Sequence, residues 1–275
     1  MKILITGAGH GMGRDIAFAL ARRGHQVIAT TRTEMQAQEL EKEAKQENLA
    51  LTVFVLDMLK EEDQEKAAAH EPDMLINNAA ISESGPLAEI PLERVRNNFE
   101  VNVFATLGFT QRIVKNLITK NIPGRILFIS SVAGKMTLPY LGSYSMTKSA
   151  MESMADALRQ EISHYGIHIS VIEPGPIGTG FNEQMNASKY AWFSESSLFA
   201  KDKKSIQAFE KMLVNNQYGT QSIVQAAIHA VESPSPKTRY IRPIKYIPLI
   251  FLANLVPDRL RDWVIKKMAA HFYSP

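Results

Sequence analysis

The sequence contains no cysteine among its 275 residues, so disulfide bonds and cysteine-ligated metal sites are excluded. Long apolar runs are missing too. The longest, 247–256, is interrupted by Pro248 and Asn254 and falls far short of the ~20 residues that a membrane-spanning helix needs. Only three apolar residues separate Lys2 from Thr6, so the start lacks the apolar region of a signal peptide. We therefore expect a soluble, cytoplasmic protein, and we leave peripheral contact with a membrane open.

A large excess of charge of one sign is also absent. The formal net charge is +3 and the pI is about 8.9, with basic residues interleaved among acidic ones. This pattern argues against a nucleic-acid partner. The seven histidines show no spacing typical of metal ligands, such as H-E-x-x-H, so no metal site is expected. What the chain does have is 45% hydrophobic residues, enough to bury a full core.

Short apolar runs alternate with longer helical patterns along the chain. The runs predict strands at 2–6, 26–30, 51–56, 74–78, 125–130, 167–172 and 239–241. The longer patterns predict helices at 11–23, 34–47, 61–69, 92–119, 143–165 and 219–232. Strands that are apolar nearly throughout indicate a sheet covered on both faces. The expected fold class is therefore α/β: a Rossmann-type, doubly wound, mainly parallel seven-stranded sheet. We predict one domain over 1–241, with an insertion at 182–217 that covers the substrate, and a helical C-terminal extension over 242–275.

The first predicted strand runs directly into TGAGHGMG, which spans Thr6 to Gly13, and then into a helix. In this position glycines let backbone amides approach a pyrophosphate, and the helix N-terminus adds partial positive charge. The turn therefore predicts dinucleotide binding by residues of this segment: Gly7, Gly9, His10, Gly11, Met12 and Gly13.

Further motifs follow in a fixed order. NNAA begins at Asn77, Asn102 lies in FEVNVF, Ser131 stands thirteen residues before Tyr144 in YSMTK, and PGPIGTGF begins at Pro174. Together with T-G-x-x-x-G-x-G, this set resembles the short-chain dehydrogenase/reductase family, in particular its hydroxysteroid, retinol and carbonyl reductase-like members. Ala80 stands where the family usually has glycine. The resemblance covers about residues 2–240 and implies four catalytic residues: Asn102, Ser131, Tyr144 and Lys148.

Tyr144 and Lys148 are four residues apart, which places them on one face of a helix. An ammonium ~4 Å from a phenol favours the phenolate by up to ~4 kcal/mol at an effective dielectric of 20. We therefore expect Lys148 to lower the pKa of Tyr144 by as much as ~3, against the opposing effect of burial. Tyr144 would act as general acid in reduction and as base in oxidation, with Ser131 donating a hydrogen bond to the same substrate oxygen. The resemblance further implies that Lys148 holds the nicotinamide ribose and that Asn102 completes a water-linked proton path.

The end of the second strand bears on the choice of nicotinamide cofactor. Thr31 stands where NAD-binding proteins place an acid, and Arg32 follows at once. A guanidinium without a neighbouring carboxylate can bind a phosphate through two parallel hydrogen bonds. We therefore expect a preference for NADP(H), with NAD(H) left possible. The resemblance adds His10 as a second basic residue, Asp57 as an adenine contact, and further cofactor-binding residues: Met58, Asn78, Ala79, Ala80, Tyr144, Lys148, Pro174, Gly175, Ile177 and Thr179.

The segment 182–199 is rich in large apolar side chains: Met185, Tyr190, Trp192, Phe193, Leu198 and Phe199. They suggest a hydrophobic lid over a lipid-like, steroid-like or aromatic substrate, or they simply pack the lid against the body. The tail predicts a helix from Pro257 with an apolar side (Leu260, Trp263, Val264 and Met268) beside basic residues. Three roles are open for it: covering the substrate, contacting another subunit, or lying on an anionic membrane. The resemblance also implies a homodimer or homotetramer built on the helices at 92–119 and 143–165.

The function expected from these observations is an NADP(H)-dependent oxidoreductase that interconverts an alcohol and a ketone or aldehyde. Two alternatives are kept. The first is a non-catalytic nucleotide-binding regulator of the same fold, although such proteins usually lose the serine, tyrosine or lysine. The second is a nicotinamide-dependent epimerase, which usually has a larger substrate domain. The sequence does not identify the substrate or the physiological direction.

Overall fold

The computed structural model describes residues 1–270, with all of their side chains except those of residues 254 and 268–270. Seven parallel strands form one sheet in the order β3-β2-β1-β4-β5-β6-β7. The strands are β1 (Lys2–Ile5), β2 (Gln26–Thr31), β3 (Leu51–Val55), β4 (Met74–Asn77), β5 (Arg125–Ile129), β6 (His168–Pro174) and β7 (Arg239–Arg242). The strand order reverses between β1 and β4, as in a doubly wound Rossmann-type fold. The predicted fold class is confirmed.

Helices cover both faces of the sheet. Along the chain they are α1 (Gly11–Arg22), α2 (Glu34–Gln46), α3 (Glu61–Ala68), α4 (Leu92–Phe99), α5 (Thr106–Thr119), α6 (Gly142–Ile162), α7 (Phe181–Lys189), α8 (Lys203–Asn215), α9 (Gln221–Glu232), α10 (Tyr246–Leu255) and α11 (Asp258–Ala270). In β1, Ile3 and Ile5 belong to one buried layer with α1, α2 and α9, whereas Leu4 belongs to the opposite layer with α3, α5 and α6. Because successive strand residues point to opposite faces, a strand between two layers must be apolar at nearly every position.

The chain predicted as one helix over 92–119 is helical throughout, but its middle is not α-helical. A π-helical stretch, Glu100–Ala105, separates α4 from α5. The Thr106 hydroxyl donates to the Val101 carbonyl five residues earlier. The stretch contains Asn102, whose side chain bonds to a loop outside the helix. π-helical turns of this kind are frequently found at functional sites. A period-based prediction cannot register such a one-residue insertion.

The lid and the extension both contain helices. The predicted lid, 182–217, contains α8 and all of α7 except its first residue, and the extension contributes α10 and α11. Of the apolar residues predicted on the last helix, the side chain of Met268 is outside the described part of the structure, as are residues 271–275. No helix within residues 1–270 combines the length and the apolar character needed to cross a membrane.

Candidate active site

A cavity of about 1070 Å³ opens at the carboxyl edge of the sheet. The turn after β1, the ends of β2, β4 and β5, and the start of α6 form its floor, while the lid and the two C-terminal helices form its walls. In doubly wound folds, ligands bind outside the carboxyl ends of the strands at the point where the strand order reverses. The strands therefore place the predicted motifs together although they are far apart in sequence.

The glycine-rich turn has the geometry that a bound pyrophosphate requires. Gly7 and Gly11 adopt φ values of 68° and 61°, which favour glycine. A Cβ on Gly7 would lie 2.8 Å from Ala79 Cα, and one on Gly11 would lie 2.8 Å from Thr179 Cβ. At the N-terminus of α1, His10 makes no side-chain capping bond and the first turn carries no acid. The free amides and the positive end of the helix dipole fit a dinucleotide phosphate.

Gly13 does not line the cavity, in contrast to the other predicted residues of the turn. A Cβ at Gly13 would lie 2.4 Å from Asn78 Nδ2 and 2.5 Å from the Gly7 carbonyl oxygen. Asn78 donates to the carbonyls of Thr6 and Gly7 at 3.0 and 2.9 Å, and Ala79 N donates to the Thr6 hydroxyl at 3.0 Å. Gly13 therefore serves the close packing of α1 on the turn, and Asn78 ties the turn to the end of β4.

At the end of β2, Arg32 is exposed, lines the cavity, and makes no side-chain hydrogen bond or ion pair with residues 1–270. His10 is likewise exposed at the cavity wall. The buried Thr31 hydroxyl donates to the Thr33 carbonyl at 3.1 Å and is committed to the backbone. Gln36 was not predicted, yet it lines the same region, and its Oε1 accepts from the Arg32 amide at 3.2 Å. A cation without an internal partner is available here for a phosphate.

The other predicted cofactor residues also line the cavity. Asp57 uses one carboxylate oxygen to accept from the Leu59 amide at 3.0 Å. The remaining wall positions come from the ends of three strands and the segment after β6: Met58, Ala79, Ala80, Pro174, Gly175, Ile177 and Thr179.

Tyr144, Ser131 and Lys148 converge at the cavity floor. Ser131 follows β5, and its hydroxyl accepts from Ala133 N at 3.1 Å, lies 3.4 Å from the Pro174 carbonyl, and interacts with the Tyr144 phenol closely enough to act on its pKa. The buried Lys148 ammonium donates to the Ile129 carbonyl at 2.8 Å and lies 5.7 Å from the centre of the Tyr144 ring. Two hydroxyls and a cation thus meet where a substrate oxygen would lie.

The expected lowering of the Tyr144 pKa is wrong. Burial raises the pKa of the Tyr144 phenol above its ordinary value, and the hydrogen bond from Ser131 only partly opposes this effect. The physical reason is that Lys148 directs its ammonium to the Ile129 carbonyl, so desolvation of the phenolate outweighs attraction by the cation. At neutral pH Tyr144 is therefore a neutral phenol, which is the form that donates a proton.

Asn102 does not line the cavity and is fully buried. Its side chain accepts from the Ile81 amide at 2.9 Å, donates to the Ile81 carbonyl at 2.8 Å, and donates to the Thr147 hydroxyl at 3.1 Å. Thr147 in turn donates to the Tyr144 carbonyl at 2.8 Å. Through these contacts Asn102 connects the loop after β4 with α6, the helix that carries Tyr144.

Burial lowers the pKa of Lys148 to about 8, whereas the negative charge of Glu152, one turn further along α6, acts to raise it. Glu152 is itself buried, lies 3.0 Å from the Lys135 ammonium, and contacts Arg239 on β7. Arg239 also binds Glu173 at 2.8 Å. Lys148 thus has a carboxylate behind it whose charge is shared with two other cations.

This arrangement predicts an alkaline limit on activity. Below about pH 8 Lys148 is charged and can bind the cofactor ribose, whereas above that value the ammonium is lost. We expect kcat/KM for NADPH to be level below about pH 8 and to fall by up to about tenfold per pH unit above it. The raised pKa of Tyr144 keeps the phenol protonated across this range. Initial rates across pH, at a saturating carbonyl concentration, give the profile.

Alkaline unfolding of the protein would also cause such a loss of activity. The ionisation of Lys148 acts in the opposite direction, because it increases the free energy of unfolding as the pH rises. The folded state loses the Lys148 proton near pH 8, before the unfolded state does near 10.5. Between these values the unfolded state binds more protons, so the Lys148 contribution to the free energy of unfolding increases with pH. Circular dichroism in the same buffers is the control. A kcat/KM that stays level to about pH 10 would contradict the assignment of Lys148.

The chain resembles known proteins in sequence and in structure. The sequence profile of the family described as short chain dehydrogenase matches residues 1–190 of the chain. The chain belongs to this family. As a short-chain dehydrogenase it is an oxidoreductase of the alcohol–carbonyl type that binds a nicotinamide nucleotide.

Two relatives of this short-chain dehydrogenase align over nearly its whole length. An NADPH-dependent 3-dehydrocapnine reductase from Ornithobacterium rhinotracheale is 30% identical, and the alignment covers 96% of this chain and 95% of that protein. Retinol dehydrogenase 8 from Homo sapiens is 28% identical over 92% of this chain and 85% of its own. A crystal structure of a short-chain dehydrogenase from Streptomyces avermitilis superposes with a TM-score of 0.77 at 24% identity, covering 98% of this chain and 96% of that one. The last comparison supports the fold alone.

The sequence did not reveal which residues wall the substrate end of the cavity. From the lid and the C-terminal helices they are mainly apolar, for example Phe181, Phe209, Met212, Tyr246, Leu249 and Ile265. The ring centres of Tyr144 and Phe181 lie 5.8 Å apart, so the start of α7 lies beside the Tyr144 ring. A Cβ on Gly175 would lie 2.7 Å from the Tyr246 ring, which shows how closely α10 packs on the segment after β6. Residues of α10 and α11 therefore line the cavity, as the first of the three alternatives for the tail predicts.

Proposed function

We propose that this short-chain dehydrogenase is an NADPH-dependent carbonyl reductase that acts on an apolar ketone or aldehyde. The observation that carries the proposal is the convergence of Tyr144, Ser131 and Lys148 on the floor of one cavity whose substrate end is walled mainly by apolar side chains. The same cavity reaches the glycine-rich turn at its other end. Dinucleotide and carbonyl compound therefore have adjoining places in one space.

The proposed chemistry assigns each residue one task. The glycine-rich turn, Arg32 and Lys148 would hold NADPH, which would supply the hydride for the carbonyl carbon. Tyr144 donates its phenolic proton to the carbonyl oxygen as negative charge develops there, and its raised pKa favours this acid role. Ser131 donates a hydrogen bond to the same oxygen. Lys148 holds the nicotinamide ribose, and its charge stabilises the phenolate that remains after proton transfer.

Support for NADPH rather than NADH comes from the free guanidinium of Arg32 and the neutral Thr31 beside it. A phosphate on the adenosine ribose would meet a cation and no carboxylate at this position. The relative from Ornithobacterium rhinotracheale, which aligns with nearly the whole chain, is NADPH-dependent. NADH use at lower efficiency remains compatible with the proposal.

The apolar walls predict how activity depends on substrate size. Burial of each added methylene contributes about 0.8 kcal/mol, or about fourfold in affinity. We expect kcat/KM to rise by about fourfold per methylene along a series of aliphatic ketones and aldehydes until the cavity is filled. The measurement is the loss of the absorbance of reduced nicotinamide across carbonyl compounds of graded length and polarity. Faster turnover of small sugars or hydroxy acids would overturn the apolar assignment.

Two alternatives become outcomes of the same assay. A chain that binds NADPH but turns over no carbonyl compound or alcohol would be a nucleotide-binding regulator. Inversion of a carbinol centre without net loss of NADPH would indicate an epimerase.

We also propose a homodimer or homotetramer, because Leu92 on α4 and Phe104 in the π-helical stretch are more than half exposed. A cytoplasmic location stays a prediction from the sequence.

A further inference from the structure

The C-terminal helices leave a large apolar surface uncovered. Helix α10, with the sequence YIPLIFLANL, contains no charged residue. Phe251 and Leu255 are 64% and 65% exposed, and on α11 Trp263 is 56% exposed. A helix that is apolar on all sides is normally buried in a core or in a lipid phase. We call the exposed side chains that do not line the cavity the docking face: Ile247, Phe251, Leu255, Leu260 and Trp263.

The docking face continues into the substrate cavity. Leu249, Leu252 and Val264 each line the cavity and are also more than 40% exposed to solvent. They form an apolar rim between the outer surface and the interior. These apolar side chains connect the outer surface with the cavity whose floor contains Tyr144.

Charge in the chain is segregated towards the same surface. Residues 242–275 contain six Lys or Arg and two Asp, which gives them a net charge of +4. The preceding 241 residues contain 25 Lys or Arg and 26 Asp or Glu, a net charge of −1. Lys245, Arg259, Lys266 and Lys267 are exposed. The Lys267 ammonium lies 5.8 Å from the centre of the Trp263 ring, so a cation and an interfacial aromatic residue are adjacent.

We propose that α10 and α11 dock the enzyme on an anionic lipid bilayer, and that its apolar carbonyl substrate enters the cavity from the lipid across the rim. Apolar side chains of the docking face insert at the level of the lipid headgroups, and the surrounding cations contact anionic headgroups. A second copy of the chain is the less favourable occupant, because a two-fold interface would place two identical cationic surfaces against each other. The first part of this proposal, the docking half, depends only on the surface features described above. The second part, the entry half, concerns passage of the substrate from the lipid into the cavity and rests on the proposed function.

The docking half is tested by co-sedimentation of the full chain with vesicles. Vesicles of phosphatidylcholine alone are compared with vesicles that also contain phosphatidylserine. We expect the wild type to pellet with the anionic vesicles, and F251E/L255E to lower the partition coefficient by about tenfold or more. K266E/K267E is expected to remove the preference for phosphatidylserine. The matched control is M35E/Y165E, which introduces two carboxylates at exposed side chains away from the cavity and should bind as the wild type does.

Any result other than those expected above would contradict docking on a lipid bilayer. Wild-type protein that stays in the supernatant with both kinds of vesicle would exclude it. If size-exclusion chromatography shows wild-type self-association that F251E/L255E abolishes, and vesicles do not pellet the wild type, the occupant is a second copy. Thermal melting by circular dichroism verifies that every variant is folded.

The entry half is tested by comparing a water-soluble carbonyl substrate with a long-chain ketone embedded in the vesicles. F251E/L255E should retain wild-type activity on the soluble substrate and lose about tenfold on the embedded ketone. Equal activity on both would overturn entry from lipid. Absence of turnover for either substrate, with vesicle binding intact, would instead refute the proposed function and leave docking established.

Discussion

Replacement of Tyr144 by Phe is expected to lower kcat for carbonyl reduction by about 10²–10⁴-fold, the usual contribution of a positioned general acid. The substitution removes only the hydroxyl. The ring can keep its position beside Phe181, and Ser131 keeps its contact with Ala133 N. Affinity for NADPH and thermal stability should therefore change little. Stopped-flow reduction with saturating NADPH measures the effect on the chemical step.

The matched control is Tyr165→Phe, which removes a phenolic hydroxyl from a side chain 47% exposed and away from the cavity. It should leave kcat unchanged. If Tyr144→Phe retains more than about a tenth of the wild-type kcat while NADPH binding is intact, another group supplies the proton. The catalytic assignment would then fail although the fold and the cofactor site stand.

Arg32→Ala is expected to lower kcat/KM for NADPH by about 10–150-fold, because a hydrogen bond to a charged group contributes about 1.5–3 kcal/mol. Efficiency with NADH, which lacks the phosphate, should change by less than about threefold. The structure motivates this split, since the Arg32 side chain lines the cavity and has no internal partner among the described residues. Steady-state kinetics with both cofactors at a fixed carbonyl concentration give the two ratios.

Arg96→Ala provides the comparison, because Arg96 is also exposed but does not line the cavity. It should leave both cofactor efficiencies unaltered. Equal losses with NADPH and NADH in Arg32→Ala would place Arg32 on a part of the cofactor common to both. The assignment of NADPH specificity would then be wrong.

The fold was predictable because its strands can be recognised from the local composition of the sequence. Runs such as Ile3 to Ile5 are apolar at every position, and only a strand buried on both faces requires that pattern. The predicted boundaries differ from the observed ones by one or two residues, as for β1, which ends at Ile5. The helix over 92–119 was predicted, but its π-helical middle was not; Asn102 there bonds through its side chain to the distant Ile81, and this tertiary contact leaves no local signal.

The site was predictable as a set of motifs and less so as an electrostatic environment. Spacing placed Ser131 and Tyr144 together, and in the structure both residues line the floor of one cavity. Spacing could not show that Lys148 would bind the Ile129 carbonyl, which is nineteen residues away in sequence, or that burial would control the phenol. The direction of the Tyr144 pKa shift depends on this competition between desolvation and attraction, and only three-dimensional packing decides it.

The substrate walls illustrate a second limit. In α10 the apolar residues have no helical periodicity, because both sides of the helix are apolar, and so the sequence could not indicate which side faces the cavity. The structure shows that Tyr246 and Leu249 line it and that Phe251 does not. Gln36 was missed for a similar reason, since its contact with the amide of Arg32 depends on how α2 begins.

The most direct test of the account is the fate of a deuterium label. NADPH deuterated at the transferable position of its nicotinamide is incubated with the enzyme and an apolar ketone, and the alcohol is analysed by mass spectrometry and NMR. The account predicts one deuterium on the carbinol carbon, in a single stereochemical configuration, and an initial rate of label transfer that is about 10²–10⁴-fold lower when Tyr144→Phe replaces the wild type. Alcohol whose carbinol hydrogen comes from solvent, or label that remains entirely in the nicotinamide, would contradict direct hydride transfer in this cavity.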